Sequence, residues 1–517
     1  MRRVTRVIIG LDVGTTAVKA AAFPVRDDAG PGPDTDRATT TAQMDLRLLQ
    51  PRPGWQVQDP KTLLGAVDRA LFQCLSGLPD RIGTQVVGIS LSTAMHALVG
   101  LDAYARPITE VITWADSRAR AEAADLRLNH DPIRLLHRSG TPVHPMSPMV
   151  KLRWMTAHQP DLCGQVRQWV GLKELVLHHL TESIATELSS ASATGLLDLA
   201  TRSWDPEAAE LAGISLDQLA DVLPTTTTFP LAATVARFTS LPAGLPVVIG
   251  AADGPLGNLG TGAIVPGVVG LSIGTSGAAR MALPQPTFDP AGRLFSYALT
   301  EDVWVSGGAI SNGGVAVHWA GSTFAPHLAG RKSSDDAFLE LAASAAAGSS
   351  GLVMMPYVLA ERAPLDPDLP AMIAGLRFGH EPRHFVRAAL EGVCRQLAGI
   401  VTTLASVAPV TGVRATGTPF GSELWRRVMA AHLDHPLVVA SDAGGTALGA
   451  AALGAYALGL ADSLPTALTA VGGQLGFDPE DAEQVDPAEA AVYQAASASL
   501  PGMLDAYRGI ATGWTTG

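Results

Sequence analysis

Apolar and polar positions along the chain alternate in a way that predicts strands followed by helices. Apolar runs at 4–11, 18–23 and 44–49 read as strands, and the longer stretch 60–78 reads as a helix. A strand over 86–92, helices over 116–128, 148–158 and 171–180, and a strand over 246–250 complete the first half. The second half continues with helices over 312–320, 382–407, 422–432 and 446–458 and strands over 352–355 and 437–440. Residues 26–41 read as a polar loop. Residues 139–148, rich in Pro, His and Met, follow no regular pattern, and such segments often line sites.

Two of the apolar runs end in the same turn. Gly10-Leu11-Asp12-Val13-Gly14-Thr15-Thr16 returns 260 positions later as Gly270-Leu271-Ser272-Ile273-Gly274-Thr275-Ser276. Each copy predicts a β-hairpin with a polar tip. Glycine lets the backbone approach a ligand, and hydroxyls with free turn N–H groups suit phosphate oxygens. Only the first copy carries a carboxylate, Asp12, and a lysine, Lys19. Either copy alone reads as an ordinary Gly/Thr turn. Two copies at a domain-sized offset point to a duplicated α/β unit gripping a nucleotide between its halves. A chain of 517 residues is too long for one core, and the division falls near residue 263, giving domains 1–263 and 264–517.

Composition narrows the function classes. With 47% hydrophobic and 16% charged residues the chain has ample material for cores, and a net charge of −12 without a basic run argues against a nucleic-acid surface. Lysines are few, at positions 19, 61, 151, 173 and 332, against thirty-one arginines within a Lys+Arg total of 36. Cys74, Cys163 and Cys394 form neither a metal spacing nor an even disulfide set, which fits a reducing cytoplasm. The start of the chain has no signal-peptide apolar region. The long uncharged run 443–461, mostly Ala and Gly, reads as a buried helix against a sheet rather than a membrane span. Neither nucleic-acid nor membrane partners are expected; a homodimer stays open.

Read in order, these segments resemble the FGGY carbohydrate kinases, of the actin-like, ribonuclease-H-like ATPase superfamily. The resemblance rests on the first glycine turn, Gly54-Trp55 with Gln58-Asp59-Pro60, Ser90 to His96, Thr113 to Arg118, Gly250 to Gly254, Ile273 to Gly277 and Glu361-Arg362-Ala363-Pro364. It covers most of the chain. It implies two ribonuclease-H-like domains with a cleft between them and phosphoryl transfer from ATP to a sugar hydroxyl, with Mg²⁺. Within the family, residues 140–148 followed by Lys151-Leu152, Trp114-Ala115-Asp116, and Ser190 to Gly195 look most like gluconokinases. A pentulose kinase such as a xylulokinase, or a sugar-binding pseudokinase, are the rival readings.

The resemblance also assigns residues. Asp253 stands where the family keeps its proton acceptor, although an Asp before Pro255 also suits a helix N-cap. Asp12 would hold Mg²⁺ through water, and Gly14, Thr15, Thr16 and Lys19 would face the phosphates. Gly274 and Thr275 would meet the β/γ-phosphates, with Gly314 and Gly417, Thr418 and Ser422 as ADP contacts. Met95, His96, Trp114, Asp116 and His144 resemble the acceptor contacts. His144, Ser147 and Lys151 could read a carboxylate, Lys151 being equally a helix-surface lysine. Two departures stand out. The family has a Gly-Gly pair where this chain has Gly417-Thr418, so a Cβ restricts φ and crowds a nucleotide. Ala360 and Leu365-Asp366 replace the usual residues around the Glu-Arg-Ala-Pro motif.

Overall fold

The computed structural model describes residues 5–26, 39–78, 84–330, 333–362, 369–440 and 445–511. Residues 27–38 of the polar loop expected over 26–41, and the Ala363 to Asp366 part of the altered motif, lie outside them. The chain forms two compact units. One comprises Met1–Pro266, Ala282–Ser306 and Ala443–Gly476; the other comprises Gly267–Met281, Gly307–Asp442 and Phe477–Gly517.

In the first unit, the sheet runs Thr40–Asp45, Ala17–Pro24, Thr5–Val13, Thr84–Thr93, Pro246–Ala252, Thr228–Pro230. The first two strands in sequence form an antiparallel hairpin that sets Asp12 opposite Lys19, while Thr84–Thr93 and Pro246–Ala252 run parallel to it on the other side. Thr5–Val13 is buried on both faces, as a central strand must be when helices cover the sheet twice. Alternation sorts its side chains. Val7, Ile9 and Leu11 pack with Leu63, Ala66 and Val67 of the helix Pro60–Ser76, whereas Ile8 packs with Ala447, Ala451 and Leu453 of the helix Gly445–Ala457. The Ala/Gly-rich run is thus a buried helix against a sheet, as expected. Among the described residues no helix is long and apolar enough to cross a membrane.

The second unit repeats the plan. Val268–Ile273 and Gly277–Leu283 form the antiparallel hairpin, and Gly412–Thr416 and then Leu437–Val439 add in parallel. In both sheets the first strand of the hairpin lies between its antiparallel partner on one side and two successive parallel strands on the other. The glycine turn occupies the tip of the first hairpin in both. The duplicated α/β fold expected from the repeat is present.

Element boundaries differ in places for local reasons. The strand expected over 44–49 is Thr40–Asp45, because Leu46 N–H turns to donate to Thr16 O at 2.7 Å and the chain leaves the ladder. The helix expected from 116 begins at Arg120, since the Asp116 carboxylate accepts Arg118 N–H at 3.0 Å and holds the segment in a turn.

A buried cluster ties the long helix Pro382–Val407 to the helix Pro487–Ala511: Arg387 donates to Glu391 at 2.8 Å and to Glu489 at 2.7 Å. His432 stacks on Tyr493 with ring centroids 4.0 Å apart, and its Nδ1–H donates to Val428 O at 2.8 Å. Burial pulls its pKa down to about 3 from an ordinary 6.5. A group whose pKa is lower folded than unfolded gives stability that is present above the unfolded value and lost as pH falls toward the folded one. Acid should therefore weaken this unit from about pH 6.5 downward, and His432→Phe should flatten that decline. Chemical denaturation of both proteins between pH 7 and 4 checks it; parallel curves would dismiss His432 as the cause.

Candidate active site

The first hairpin tip is closed by Gly14 N–H donating to Ala17 O at 2.9 Å. Three residues steady the tip from outside: Gln58 Nε2–H donates to Thr15 O at 2.7 Å, Trp114 Nε1–H to Thr15 Oγ1 at 3.0 Å, and Leu46 N–H to Thr16 O. Trp114 thus links the 113–118 segment to the first glycine turn. Asp12 is half-buried at the strand end. Its Oδ1 accepts from Ser92 Oγ at 2.7 Å and its Oδ2 from Thr446 Oγ1. Burial raises its pKa above the usual carboxylate value, against the lowering effect of those hydroxyls, Lys19 and Lys173.

Asp253 is the first residue of the helix Asp253–Gly260, directly after Pro246–Ala252. The helix N-cap is Ala252, and no side chain caps it. The N-cap reading of Asp253 is therefore corrected: its Oδ1 instead accepts Gly254 N–H at 2.8 Å and, across the sheet, Met95 N–H at 3.3 Å.

The Met95 contact brings the acceptor candidates to Asp253. His96 adopts φ 65°, a left-handed conformation uncommon outside glycine, and its Nδ1–H donates to Ala193 O at 2.7 Å. Lys151 is fully buried, which rules out the helix-surface reading. Its ammonium donates to the backbone carbonyls of His96 and Thr113 (2.7 Å to the latter). Desolvation pulls its pKa down to about 7. Ser147 is likewise buried, with Oγ donating to Thr194 O at 2.9 Å. Asp116, 1% exposed, accepts Gln56 N–H at 2.7 Å and a bidentate Arg118 at 2.8 Å on each oxygen. Its carboxylate therefore braces the Trp114 loop. His144 Nδ1 accepts Met146 N–H at 3.1 Å, so its proton sits on Nε2 in the neutral ring.

In the second unit the turn at Gly274 and Thr275 carries the next helix. Gly313 N–H donates to Thr275 O at 3.0 Å and Gly314 N–H to Gly274 O at 2.8 Å. Glu361, fully buried, fastens the segment before that helix by accepting from Ser311 N–H and from Asn312 Nδ2 at 2.9 Å. Gly314, Thr418 and Ser422 converge on one cavity of about 810 Å³, walled also by His318, Phe338 and Trp425. Gly417 takes φ 116°, and a Cβ there would lie 1.9 Å from Ile273 O, so glycine is required. Thr418 follows inside a single helical turn, Thr418–Gly421. The φ restriction feared for Thr418 thus falls on Gly417 instead. Sequence reasoning overlooked Gln58, Ser92 and Thr446; Thr446 is 434 positions from Asp12, and no spacing could have linked them.

Comparison with known proteins agrees with this geometry. Residues 7–260 match the model of the FGGY family of carbohydrate kinases, N-terminal domain, and 269–458 match its C-terminal domain. A gluconokinase of Bacillus licheniformis is 34% identical, with 92% of each chain covered. The crystal structure of gluconate kinase from Lactobacillus acidophilus superposes with a TM-score of 0.86 at 29% identity, covering 98% of both chains. Ligand-bound xylulose kinase from the same organism gives the same TM-score and identity, covering 97% of this chain and 98% of the other. With both domain models matched in order and the two glycine turns heading matching sheets, the chain belongs to the FGGY family of carbohydrate kinases.

Proposed function

We propose that this ATP-dependent kinase transfers the γ-phosphoryl group to a hydroxyl of gluconate, forming 6-phosphogluconate in the cytoplasm. The observation that carries the choice of acceptor is the 34% identity to a gluconokinase over 92% of both chains. Phosphoryl transfer needs an aligned acceptor, neutralised phosphate charge and a base for the attacking hydroxyl. Asp253 is the base: it takes the hydroxyl proton as the oxygen attacks the γ-phosphorus, while the bond from that phosphorus to the bridging oxygen breaks and ADP leaves with the electron pair. Within the first unit Gly14, Thr15, Thr16 and Lys19 suit phosphate oxygens; within the second, Gly274 and Thr275 do likewise, and Gly314, Gly417, Thr418 and Ser422 serve the nucleotide. Met95, His96, Trp114 and His144 meet the sugar acid, and Asp116 holds Trp114 in place.

Asp12 suits Mg²⁺: carboxylate oxygens are hard donors, and a desolvated carboxylate with a raised pKa gains from a nearby dication. Bound there with the nucleotide, the ion would neutralise charge on the phosphates. Ser92 and Thr446 orient Asp12 for that contact, and Lys19, its cross-strand neighbour, adds a second positive charge.

With Lys151 and Ser147 both hydrogen-bonded to backbone carbonyls, His144 is the residue of the 139–148 segment proposed to read the acid's carboxylate. Gluconate should be used with a kcat/KM roughly tenfold above that for xylulose, ribulose or glycerol, the size of one charge-assisted hydrogen bond. His144→Ala should shrink that preference. Coupled ADP release over this panel decides it, and a neutral ketose outrunning gluconate would reassign the acceptor while leaving the family intact.

A further inference from the structure

Lys173 is used by none of the roles above. It stands in the first turn of the helix Leu172–Thr181 and is 1% exposed. There it meets the positive end of the helix dipole and loses its hydration, both unfavourable to a cation, and burial pulls its pKa down to about 8. Specific partners hold it. Nζ donates to the carbonyls of Leu91 at 3.1 Å, Ile249 at 2.8 Å and Ala251 at 2.9 Å, and lies 3.9 Å from the Glu187 carboxylate. Glu174, Asp253 and Asp12 are the other charges that face it.

These three carbonyls belong to the ends of the two strands that lead to Met95 and Asp253. Ile249 and Ala251 flank Gly250, where the ladder to Thr84–Thr93 is interrupted between Val248 and Ala251. Lys173 supplies donors at that break. A second tether holds the same strand: Ala252 N–H donates to Ser189 Oγ at 3.2 Å, within the short helix Leu188–Ser192. Glu187 caps that helix by accepting Ser190 N–H at 2.9 Å. The buried Glu187 therefore links the lysine to the second tether.

We propose that Lys173 is a positioning residue for phosphoryl transfer: it locks the strand ends on either side of Gly250 and so aims Asp253 at the acceptor hydroxyl. The inference rests on the reading of Asp253 as the base. Being buried, Lys173 acts on the geometry of the chemical step and not on acceptor affinity.

The test uses Lys173→Met, Lys173→Gln, and each combined with Asp253→Asn, measuring kcat, acceptor KM and Tm with the best acceptor of the panel. Lys173→Met should lose about tenfold to hundredfold in kcat, as small misplacements of reacting groups do, with acceptor KM little changed. Lys173→Gln keeps N–H donors and should recover part of the loss. Added to Asp253→Asn, either change should cost little more, since the group it acts through is already disabled. Wild-type kcat in both single variants, a loss confined to KM, full additivity in the double variants, or failure of both single variants to fold would overturn the proposal. If Asp253→Asn alone keeps wild-type turnover, the base assignment fails instead.

Discussion

Asp253→Asn should lower kcat by roughly 10² to 10⁴, the usual contribution of a positioned general base, or about 3–5 kcal/mol of barrier. The structure explains why the fold should survive the change. The oxygen that accepts Gly254 N–H and Met95 N–H has a counterpart in the asparagine amide, so both backbone contacts can remain. The helix does not depend on Asp253 for a cap, since its N-cap is Ala252. What asparagine cannot do is take a proton. Steady-state kinetics with unchanged Tm and acceptor affinity is the expected result; near-wild-type turnover would remove Asp253 from the mechanism.

Gly250→Ala should be the most damaging small substitution near the site. Gly250 has φ 75°, and a Cβ built there would sit 1.8 Å from Leu91 O and 2.8 Å from its carbonyl carbon, both backbone atoms that cannot rotate away. Strain of about 1–3 kcal/mol for the backbone adds to about 1–3 kcal/mol for overpacking. Thermal denaturation should show a Tm lower by roughly 3–9 °C for a unit of this size, with kcat reduced because Asp253 lies three residues on. An unchanged Tm would mean that the two strands can separate at no cost, and that the bulge carries no strain.

Several readings could be made from residue order alone. The glycine turns at Gly14 and Gly274, the alternation of strands and helices, and helices such as Pro148–His158 and Pro382–Val407 are local features, written in consecutive residues. Their order along the chain was enough to identify the family, and the paired turns were enough to expect a duplicated fold. Motif position was enough to put Asp12 and Asp253 forward as candidates. The site was not legible where function depends on what a side chain meets. Lys151 reads equally as a carboxylate reader or a surface lysine, and Asp116 as an acceptor contact; only the structure shows both buried and hydrogen-bonded within the chain.

By itself, then, the sequence determined the succession of elements, the duplicated sheet plan and the family, because short-range periodicity and turn chemistry act between neighbours in the chain. Only the tertiary structure decided which polar groups are buried and spent. It set Thr446 on Asp12, Lys173 beneath the strand leading to Asp253, and the unusual φ of the Gly417–Thr418 pair on the glycine. Those outcomes depend on desolvation and on hydrogen bonds between segments far apart in the chain, and neither leaves a spacing that can be read from the residues in between.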